Sequence, residues 1–256
     1  GNELNIGLDS FVFFDDDPIN REFVKMMLPQ VTTVDLPQDP VQYAKILCNM
    51  NEFNVLAITN EDSNRSKVYV EQKKRKELES NVSNLDDFLK QLEIRITMKN
   101  ANESTISRIS QLTLKTNQFN LSTKRYQEDE IQKFANDDMY LVRCTQVEDK
   151  FGDNGITGVY IVKKDNQKEW IIDTFLLSCR VMGRQVEKKI MGNIIEQAKK
   201  EGVLKLKSRF IPTEKNQPCK NFLKDCGFQE DDGEWSYSLN QPFKKIDFIK
   251  VLTESY

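Results

Sequence analysis

The fold of this chain is decided by residues 170–198, which read WIIDTFLLSCRVMGRQVEKKIMGNIIEQA. The apolar run from Trp170 to Ser178 predicts a buried strand. After it, apolar residues recur at helical spacing along one face: Val186, Ile190, Met191, Ile194, Ile195 and Ala198. The sequence here therefore predicts a strand that leads directly into a long amphipathic helix.

The junction between these two elements, residues 177–186, combines one glycine with two arginines. The first turn of a helix presents unpaired N–H groups and the positive end of the helix dipole, which favour an exposed anion by roughly 0.3 to 1 kcal/mol. Gly183 lets the backbone come close to a ligand, and Arg180 and Arg184 add positive charge. The junction predicts an anion-binding loop; the alternative is a tight turn at Gly183 with both arginines facing solvent.

Cys179 lies in this junction and is the candidate for covalent chemistry. The thiolate is the nucleophilic form of cysteine, and nearby positive charge lowers a thiol pKa from its ordinary value of about 8.5. We expect the arginines and the helix terminus to have this effect on Cys179. Because the chain has no histidine, Asp173 is the candidate base that takes the thiol proton. The alternative is that Cys179 is a small buried hydrophobe.

The absence of histidine excludes several classes of enzyme site. Ser-His-Asp and Cys-His catalysis both need an imidazole, and so does every histidine-containing metal site. The five cysteines form no CxxC pair and their number is odd, which favours reduced thiols and predicts a cytoplasmic location. No apolar run approaches the roughly 18 residues that a membrane helix needs, so we expect no membrane as a partner.

The segments on either side of residues 170–198 extend the pattern. Apolar residues two apart predict strands, and those three or four apart predict helices. In chain order we predict a strand at 93–99, helices around 106–112 and 131–135, strands at 140–147, 156–162 and 170–178, the long helix, a strand at 204–211, a helix at 218–226 and a hairpin around Trp235. The order β-αα-βββ-α-β-α-ββ predicts an α+β domain with a mixed, mostly antiparallel sheet.

The beginning of the chain follows a different pattern. An apolar run at residues 10–14 is followed by three aspartates and Pro18, which predicts a strand, a cap at Asp17 and a helix that begins at Pro18. A second strand and helix follow from residue 31, which makes a βαβα fragment. Two strands are too few for an independent parallel sheet, so we expect this sheet to be truncated.

Residues 56–92 are polar, with a basic run at 73–76, and we interpret them as a helical connector whose basic residues face solvent. Residues 1–50 carry eight acidic and three basic side chains, whereas residues 91–256 carry 24 and 27. A weakly basic second part suits an anionic ligand or an acidic partner. Because it has no dense basic stripe, nucleic acid is not expected as a partner.

The junction and a later stretch resemble a known family. The element order, the loop RVMGRQ at 180–185 and the stretch NFLKDCGF at 221–228 resemble the GNAT acyltransferase fold, whose pyrophosphate loop reads R/Q-x-x-G-x-G/A. The resemblance implies that the loop holds the phosphate of a phosphopantetheine arm or of CoA, through Arg180, Gly183, Arg184 and Gln185. Gln185 departs from the small residue of the family pattern, so a carrier arm with one phosphate is favoured over a CoA pyrophosphate.

A second resemblance covers nearly the whole chain. Four stretches, FFDDDP at 13–18, KTNQFNL at 115–121, FGDNG at 151–155 and DTFLLSCR at 173–180, resemble the FkbH-like proteins, in which a phosphatase domain of HAD superfamily subfamily IIIC precedes a GNAT-like domain. This implies an α/β chain with a partial HAD (Rossmann-like) fragment at 1–55, a connector at 56–92 and a GNAT-like α+β domain at 93–256. Because the chain begins with Gly, we expect the rest of the HAD domain to precede residue 1.

In the HAD pattern, Asp15 and Asp16 match an acidic pair that holds Mg²⁺ together with an earlier nucleophilic aspartate. Two carboxylates alone make a weak, incomplete metal site. We therefore expect no phosphatase activity from these residues, and Mg²⁺ only in a full-length protein.

The same resemblance implies the transfer of a glyceryl unit, in polyketide or other secondary-metabolite biosynthesis. The donor would be a small phosphorylated glycerate-derived compound, and the acceptor the phosphopantetheine thiol of an acyl carrier protein, with a thioester on Cys179 as the intermediate. The predicted substrate contacts are Asn117, Gln118, Asn120 and Arg125, whose alternative role is local capping of helix ends. Two other functions are a CoA-dependent N-acyltransferase and a non-catalytic docking domain for a carrier protein. We also expect a possible homodimer that covers the apolar N-terminal fragment.

Overall fold

The computed structural model describes residues 7–53 and 65–253. The chain divides into two units, Gly1–Ser63 and Asn64–Tyr256. The division falls within the connector that we predicted at 56–92, and the part of that connector after Ser63 lies in the second unit. No helix in the described residues is both long enough and apolar enough to cross a membrane.

The first unit contains a small parallel sheet. Its elements are, in chain order, β1 (Val12–Phe13), α1 (Pro18–Met27), β2 (Thr32–Thr33) and α2 (Tyr43–Cys48). β1 and β2 pair in parallel, and α1 connects them. The carboxylate of Asp17 accepts a hydrogen bond from the N–H of Ile19 at 2.8 Å, so the predicted cap is confirmed. The predicted βαβα order is also observed, although each strand has only two residues.

Little of the first unit is buried. Val34 is the one buried apolar side chain among residues 7–53, whereas Ile19, Met26 and Val41 are 76%, 72% and 85% exposed. A parallel sheet is stable when both of its faces are covered, and a pair of two-residue strands has too little surface to form a core. The dimer that would cover these apolar side chains stays a prediction.

The second unit is built on one mixed sheet. Its strands are, in chain order, β3 (Arg95–Asn100), β4 (Tyr140–Asp149), β5 (Gly152–Lys164), β6 (Glu169–Leu177), β7 (Lys205–Ser208), β8 (Gln229–Asp231), β9 (Glu234–Ser238) and β10 (Lys250–Thr253). Its helices are α3 (Arg65–Ser80), α4 (Leu85–Gln91), α5 (Glu103–Lys115), α6 (Glu128–Ala135), α7 (Val186–Lys200) and α8 (Phe222–Asp225).

The strands follow the order β10-β3-β4-β5-β6-β7-β9-β8 across the sheet. All neighbouring pairs are antiparallel except β10–β3 and β6–β7. The order β-αα-βββ-α-β-α-ββ and the mixed, mostly antiparallel sheet are therefore confirmed. The sequence did not predict β10, because its four residues show no repeated alternation of apolar and polar side chains.

Helices cover both faces of this sheet. Successive residues of β5 alternate between two hydrophobic clusters, as the pleat of a strand requires. One cluster packs against α5 and α6, with Ile109 and Ile131 fully buried. The larger cluster packs against α4, α7 and α8, with Leu89 and Ile194 fully buried. The predicted face of the long helix, from Val186 to Ala198, lies in this larger core.

The two helices of the predicted connector are part of this architecture. On α4, Phe88 and Leu89 are in the larger core. On α3, Lys73 and Lys74 are exposed as expected, but Arg75 in the same basic run is buried with a relative exposure of 1%. The expectation that the basic run faces solvent is wrong for Arg75, because this side chain forms an ion pair in the interior.

β6 and β7 form the parallel pair that positions the candidate site, and α7 is the crossover between them. Their pairing ends at Ile172 and Ser208, where β7 stops, while β6 continues to Leu177. β5 covers the other edge of β6 up to Leu177. The edge of β6 on the β7 side is therefore available to a different partner after Ile172.

Candidate functional site

A short segment at Phe119–Leu121 fills the gap that β7 leaves. The N–H of Leu121 donates to the carbonyl of Phe175 (3.1 Å), and the N–H of Leu177 donates to the carbonyl of Phe119 (2.9 Å). On its other side, the N–H of Ile211 donates to the carbonyl of Leu121 (2.8 Å). The segment thus lies between the carboxyl-terminal half of β6 and the chain that follows β7.

Asn120, a predicted substrate contact, is part of this framework instead. Its side chain is fully buried; its amide donates to the carbonyl of Thr116 at 3.2 Å and its oxygen accepts from the N–H of Thr123 at 3.0 Å. The carbonyl of Asn120 accepts from the side chain of Asn216 at 3.0 Å. Because these bonds use both ends of its amide, Asn120 holds two loops together rather than facing a ligand. Gln118, the neighbouring predicted contact, is half-buried.

A cleft of about 290 Å³ lies beside this framework. It is lined by Asn117, Thr123, Arg125, Thr213, Glu214 and Lys215. Two of the predicted substrate residues, Asn117 and Arg125, are therefore brought together, and they face a loop that sequence reasoning did not select. The signal that could have indicated this loop is a Thr-x-x-Asn turn: the N–H of Thr213 donates to the side chain of Asn216 at 2.7 Å, and the N–H of Asn216 donates to the Thr213 hydroxyl at 3.2 Å.

Arg125 is held at the cleft by neutral acceptors. Its guanidinium donates to the carbonyls of Thr113 and Thr116, the latter at 3.0 Å, and to the side-chain oxygen of Asn117 at 2.6 Å. Partial burial lowers the pKa of Arg125 from its ordinary value. The guanidinium is thus fixed in place by three oxygens that carry no formal charge.

Asp173, the predicted base, binds the segment that carries Arg125. The hydroxyl of Tyr126 donates to one oxygen of Asp173 at 2.8 Å, and Lys124 forms an ion pair with the other oxygen. Burial, reinforced by the hydrogen bond to Asp173, raises the pKa of Tyr126. Residues 123–126 therefore alternate: Thr123 and Arg125 line the cleft, and the residues after each of them bind Asp173. The role of Asp173 as a base stays a prediction.

Cys179 begins a single 3-10 turn, Cys179–Val181, directly after β6. Its side chain is partly buried. Burial raises the pKa of the thiol above its ordinary value, although the charge of Arg180 acts in the opposite direction. The expectation that the loop lowers this pKa is wrong, because the loss of hydration outweighs one nearby arginine.

One backbone hydrogen bond joins the segment near the cleft residue Asn117 to the strand before Cys179. Phe119 and Leu177 are joined by a backbone hydrogen bond of 2.9 Å. Asn117 lies two residues before Phe119, and Cys179 lies two residues after Leu177. The segment that carries Asn117 and the segment that carries Cys179 therefore both adjoin the carboxyl end of β6.

The loop after Cys179 keeps an open side. Gly183 is exposed, has a φ of +76°, and has no atom within 4 Å of the position that a Cβ would occupy. Gln185, the cap residue of α7, has a φ of 61°, which is a left-handed conformation that favours glycine. The position at which the family pattern has a small residue thus has a backbone conformation that suits a small residue. The carboxyl of Glu187, in the first turn of α7, has its pKa raised by burial.

Arg184 does not face the open side of this loop. It is buried, and it donates to Asp149 at 3.2 Å, to the side chain of Gln72 at 3.0 Å and to the carbonyl of Arg180 at 2.7 Å. Burial, with Arg75 nearby, lowers the pKa of Arg184 to about 10. The prediction that Arg184 contacts an anionic ligand is therefore corrected. The guanidinium of Arg184 forms an ion pair with Asp149 and anchors the loop. In contrast, Nη1 of Arg180 is buried without a hydrogen-bond partner among the described residues.

The predicted acidic pair lies in the first unit. The side chain of Asp15 accepts from the N–H of Asp17 at 2.8 Å, and Arg21 donates to the carbonyls of Asp15 and Asp16 at 2.8 and 2.9 Å. In residues 7–53 and 65–253, no group of three or more histidine, cysteine, aspartate or glutamate side chains is arranged to hold a metal ion. Asp15 thus stabilises the turn before α1, and Mg²⁺ binding by a longer protein stays a prediction.

Comparisons with known proteins give a limited answer. No family model and no curated protein matches this sequence. Similar solved structures include the ribosomal-protein-S18-alanine N-acetyltransferase of Escherichia coli (12% identity, TM-score 0.42, 59% of this chain and 99% of that chain) and an acetyltransferase of the GNAT family from Staphylococcus aureus (12%, 0.43, 56% and 99%). A third is the spermidine N-acetyltransferase of Vibrio cholerae in complex with CoA and spermine (13%, 0.44, 57% and 96%). Such low TM-scores establish neither the fold nor the activity, so the element order and the mixed sheet remain the ground for a GNAT-like second unit.

Proposed function

We propose that the second unit is an acyltransferase that moves an acyl group to or from a pantetheine thiol. One observation supports this proposal: Cys179 and Gly183 lie on the segment that follows β6, and the segment Phe119–Leu121, close in the chain to the cleft residue Asn117, pairs with the end of the same strand. Ligands of sheets with parallel strands bind at the carboxyl ends of the strands, next to the loops that follow them. Cys179, Gly183 and Arg125 all belong to segments at this end.

The loop after β6 would hold the phosphate of a phosphopantetheine arm or of CoA. The N–H groups at the start of α7 and the side chain of Arg180 supply donors and positive charge. Gly183 leaves space for the phosphate to approach the backbone, and Gln185 adds an amide at the position where a family member has a small residue. Arg184 does not face the phosphate in this proposal; its bonds to Asp149 and Gln72 hold the loop in place.

The specific reaction that we propose is transfer of a glyceryl group from a small phosphorylated glycerate-derived donor to an acyl carrier protein. The donor in this step is an acyl phosphate: the thiol of Cys179 attacks the acyl carbon, a C–S bond forms, the C–O bond to the phosphate breaks, inorganic phosphate leaves, and the thiol proton passes to a base. The phosphopantetheine thiol then attacks the thioester, and Cys179 regains a proton. Because one thioester replaces another, the second step is near balance and depends on alignment of the two sulfur atoms.

The raised pKa of Cys179 sets a requirement for the first step. The thiol is protonated at neutral pH, so its proton must be removed as the C–S bond forms. Asp173 is our candidate for this base, although Lys124 and Tyr126 both bind its carboxylate. A base supplied by the donor itself, such as a phosphate oxygen, would serve the same purpose.

A CoA-dependent N-acyltransferase is the second candidate function. The left-handed backbone at Gln185 favours it, because this conformation suits the small residue that the family's pyrophosphate loop has at this position. In that reaction an amine attacks the acyl group of CoA directly, and Cys179 forms no covalent bond. A docking domain for a carrier protein would need the same loop and no chemistry at all.

Intact-mass measurement separates these functions. The chain is incubated with acetyl-CoA, with a holo carrier protein or with a phosphorylated glycerate, alone and in combination. We expect a glyceryl mass on the wild-type chain and then on the carrier, and neither mass with Cys179→Ala. Cys48→Ala is the matched control, because Cys48 is an exposed cysteine of the first unit. Acylation of a small amine by acetyl-CoA with Cys179→Ala would replace the thioester proposal with the second candidate, and no acyl transfer at all would refute both.

A further inference from the structure

α3 packs on the sheet domain through charged side chains rather than apolar ones. Of its residues from Val70 to Ser80, Glu71 and Arg75 are the buried ones, with relative exposures of 4% and 1%. Val70 is 59% exposed, and Leu78 packs against the larger core but is only partly buried. The buried face of α3 therefore consists of two opposite charges, Glu71 and Arg75, one helical turn apart.

Asp149 links α3 to the loop that follows β6. Arg75 donates to both oxygens of the Asp149 carboxylate, from Nε at 2.7 Å and from Nη2 at 2.9 Å. Arg184, which belongs to the loop, donates to Oδ2 of the same carboxylate at 3.2 Å. Nη2 of Arg184 also donates to the side-chain oxygen of Gln72 at 3.0 Å and to the carbonyl of Arg180 at 2.7 Å. α3 is thus joined to the loop twice, directly through Gln72 and indirectly through Asp149.

The turn between β4 and β5 accommodates α3. Asp149 ends β4, and its Oδ1 accepts a hydrogen bond from the N–H of Phe151 at 3.0 Å. Gly152 begins β5, and a Cβ at this position would overlap Oε1 of Glu71. Glycine is therefore the residue that lets this backbone approach the Glu71 carboxylate. The turn supplies both the acceptor for Arg75 and the space for Glu71.

A charged interface of this kind opens more readily than an apolar one. Removing charged groups from water costs hydration energy, and their mutual attraction offsets this cost only where the remaining donors and acceptors are satisfied. Nη1 of Arg75 and Oε2 of Glu71 are both buried without a hydrogen-bond partner among the described residues. Both atoms regain water when α3 leaves the domain. Segments with few buried apolar contacts open locally while the core of a protein stays folded.

We propose that α3 is a clamp on the loop after β6 (residues 180–185), with Gln72 and Arg75 as its positioning residues. When α3 is docked, Arg184 is held by Gln72 and by the carboxylate that Arg75 orients, which fixes the conformation of the loop. When α3 undocks, Arg184 loses its bond to Gln72, and Asp149 loses Arg75. α3 and the loop should therefore open as one unit while the sheet stays intact.

Native-state hydrogen exchange tests the clamp without ligand or turnover. The full chain exchanges in a series of low urea concentrations and is followed by peptide mass spectrometry. The reporters are the helical N–H groups of α3 and the N–H groups of Val181 and Met182, which are hydrogen-bonded at the start of the loop. We expect both sets to open with the same urea dependence, whereas the amides in the middle of β5 exchange only on global unfolding. Different urea dependences for α3 and the loop would overturn the inference.

Arg75→Met should speed exchange of the loop amides by ~10-fold or more, because it removes one partner of a buried ion pair. Lys74→Met is the matched control, since Lys74 is an exposed basic residue at the neighbouring position of α3. Its loop should exchange at the wild-type rate. Equal loop exchange in a folded Arg75→Met and in the wild type would contradict the clamp.

Arg75→Met could unfold the chain, so Gln72 provides a milder test. Gln72 is only partly buried, and Gln72→Ala removes its direct hydrogen bond to Arg184. We expect loop exchange to accelerate ~3-fold or more, with unchanged exchange in β5. Gln72→Glu keeps an acceptor for Arg184 and should restore the wild-type rate, which a purely structural role in α3 would not predict. An equal acceleration in β5, or no rescue by Gln72→Glu, would count against the inference.

The inference concerns the conformation of the loop and does not require that the loop binds a ligand. If the loop holds a pantetheine phosphate, docking of α3 also controls that site, and in this consequence alone the inference rests on the proposed function. Cys179→Ala separates the two, because it should keep the coupled opening while it forms no acyl-enzyme. Coupled opening that depends on Arg75, without acyl transfer in any assay, would support the clamp and refute the proposed function. Acyl transfer by a chain whose loop exchange ignores Arg75 would have the opposite meaning.

Discussion

The loop at Arg184 and the cleft at Arg125 differ in what surrounds a single arginine. Both residues belong to the second unit, and both were predicted to contact a ligand. Arg184 is buried against Asp149, with Arg75 bound to the same carboxylate. Arg125 is held by neutral oxygens beside a cleft. The difference teaches that an arginine predicted to contact a ligand can instead be an internal ion partner, which only its neighbours in the fold reveal.

Removing the shared carboxylate should have the largest effect on this comparison. Asp149→Ala leaves Arg184 buried without its ion partner and leaves Arg75 with Glu71 alone, which should lower the free energy of unfolding by about 3 to 5 kcal/mol. Urea denaturation measures this change. Glu148→Ala, at the neighbouring position, removes a partly exposed ion pair with Arg95 and should cost only about 0 to 1 kcal/mol. Similar losses for both variants would mean that the buried ion cluster does not anchor the loop.

The pH dependence of the alkylation rate of Cys179 tests the beginning of the same loop. Because burial raises the thiol pKa above its ordinary value, thiolate is disfavoured at neutral pH and increases as the pH rises. Alkylation of Cys179 by iodoacetamide, followed by peptide mass spectrometry, should accelerate about tenfold per pH unit from pH 6 to 9 without a plateau. A free cysteine derivative measured in parallel should level off earlier. A plateau for Cys179 below pH 8 would show that the loop activates the thiol after all.

The smallest effect is expected at Gln185. Gln185→Gly places glycine in the left-handed conformation that this position has, and it should raise the free energy of unfolding by about 0.5 to 1 kcal/mol. Gln197→Gly, inside the same helix, should lower it by about 1 kcal/mol. Thermal denaturation of both variants checks the signs. Destabilisation by both would indicate that the Gln185 side chain supports the loop.

Much of the sheet domain was predictable from local patterns. The strand at Trp170–Ser178 and the helix face from Val186 to Ala198 follow from spacing alone, because an apolar face must be buried wherever the element lies. The cap at Asp17 was predictable because an aspartate directly before a proline is a local signal for the start of a helix. Signals of this kind do not depend on distant parts of the chain.

The candidate site was predictable only in part, because its residues acquire their roles from distant partners. Asn117 and Arg125 line the cleft, and their contact with substrate stays a prediction, whereas Asn120 is a buried link and Arg184 an internal ion partner. The wall formed by Thr213 and its neighbours was missed, since a polar turn between a strand and a helix is ordinary in sequence. Only the insertion of the Phe119–Leu121 segment beside β6 brings that turn to the cleft.

The sequence by itself determined the order of elements, the reduced set of possible chemistries and the position of Cys179 after a strand. These follow from hydrophobic spacing and from residue types, which are properties of short stretches. The tertiary structure decided which charges are paired and how much water each group loses. Ion pairing and hydration depend on atoms that are tens of residues apart in the chain, as with Arg75 and Asp149, so the pKa of Cys179 and the ion pair of Arg184 could be read only from the folded protein.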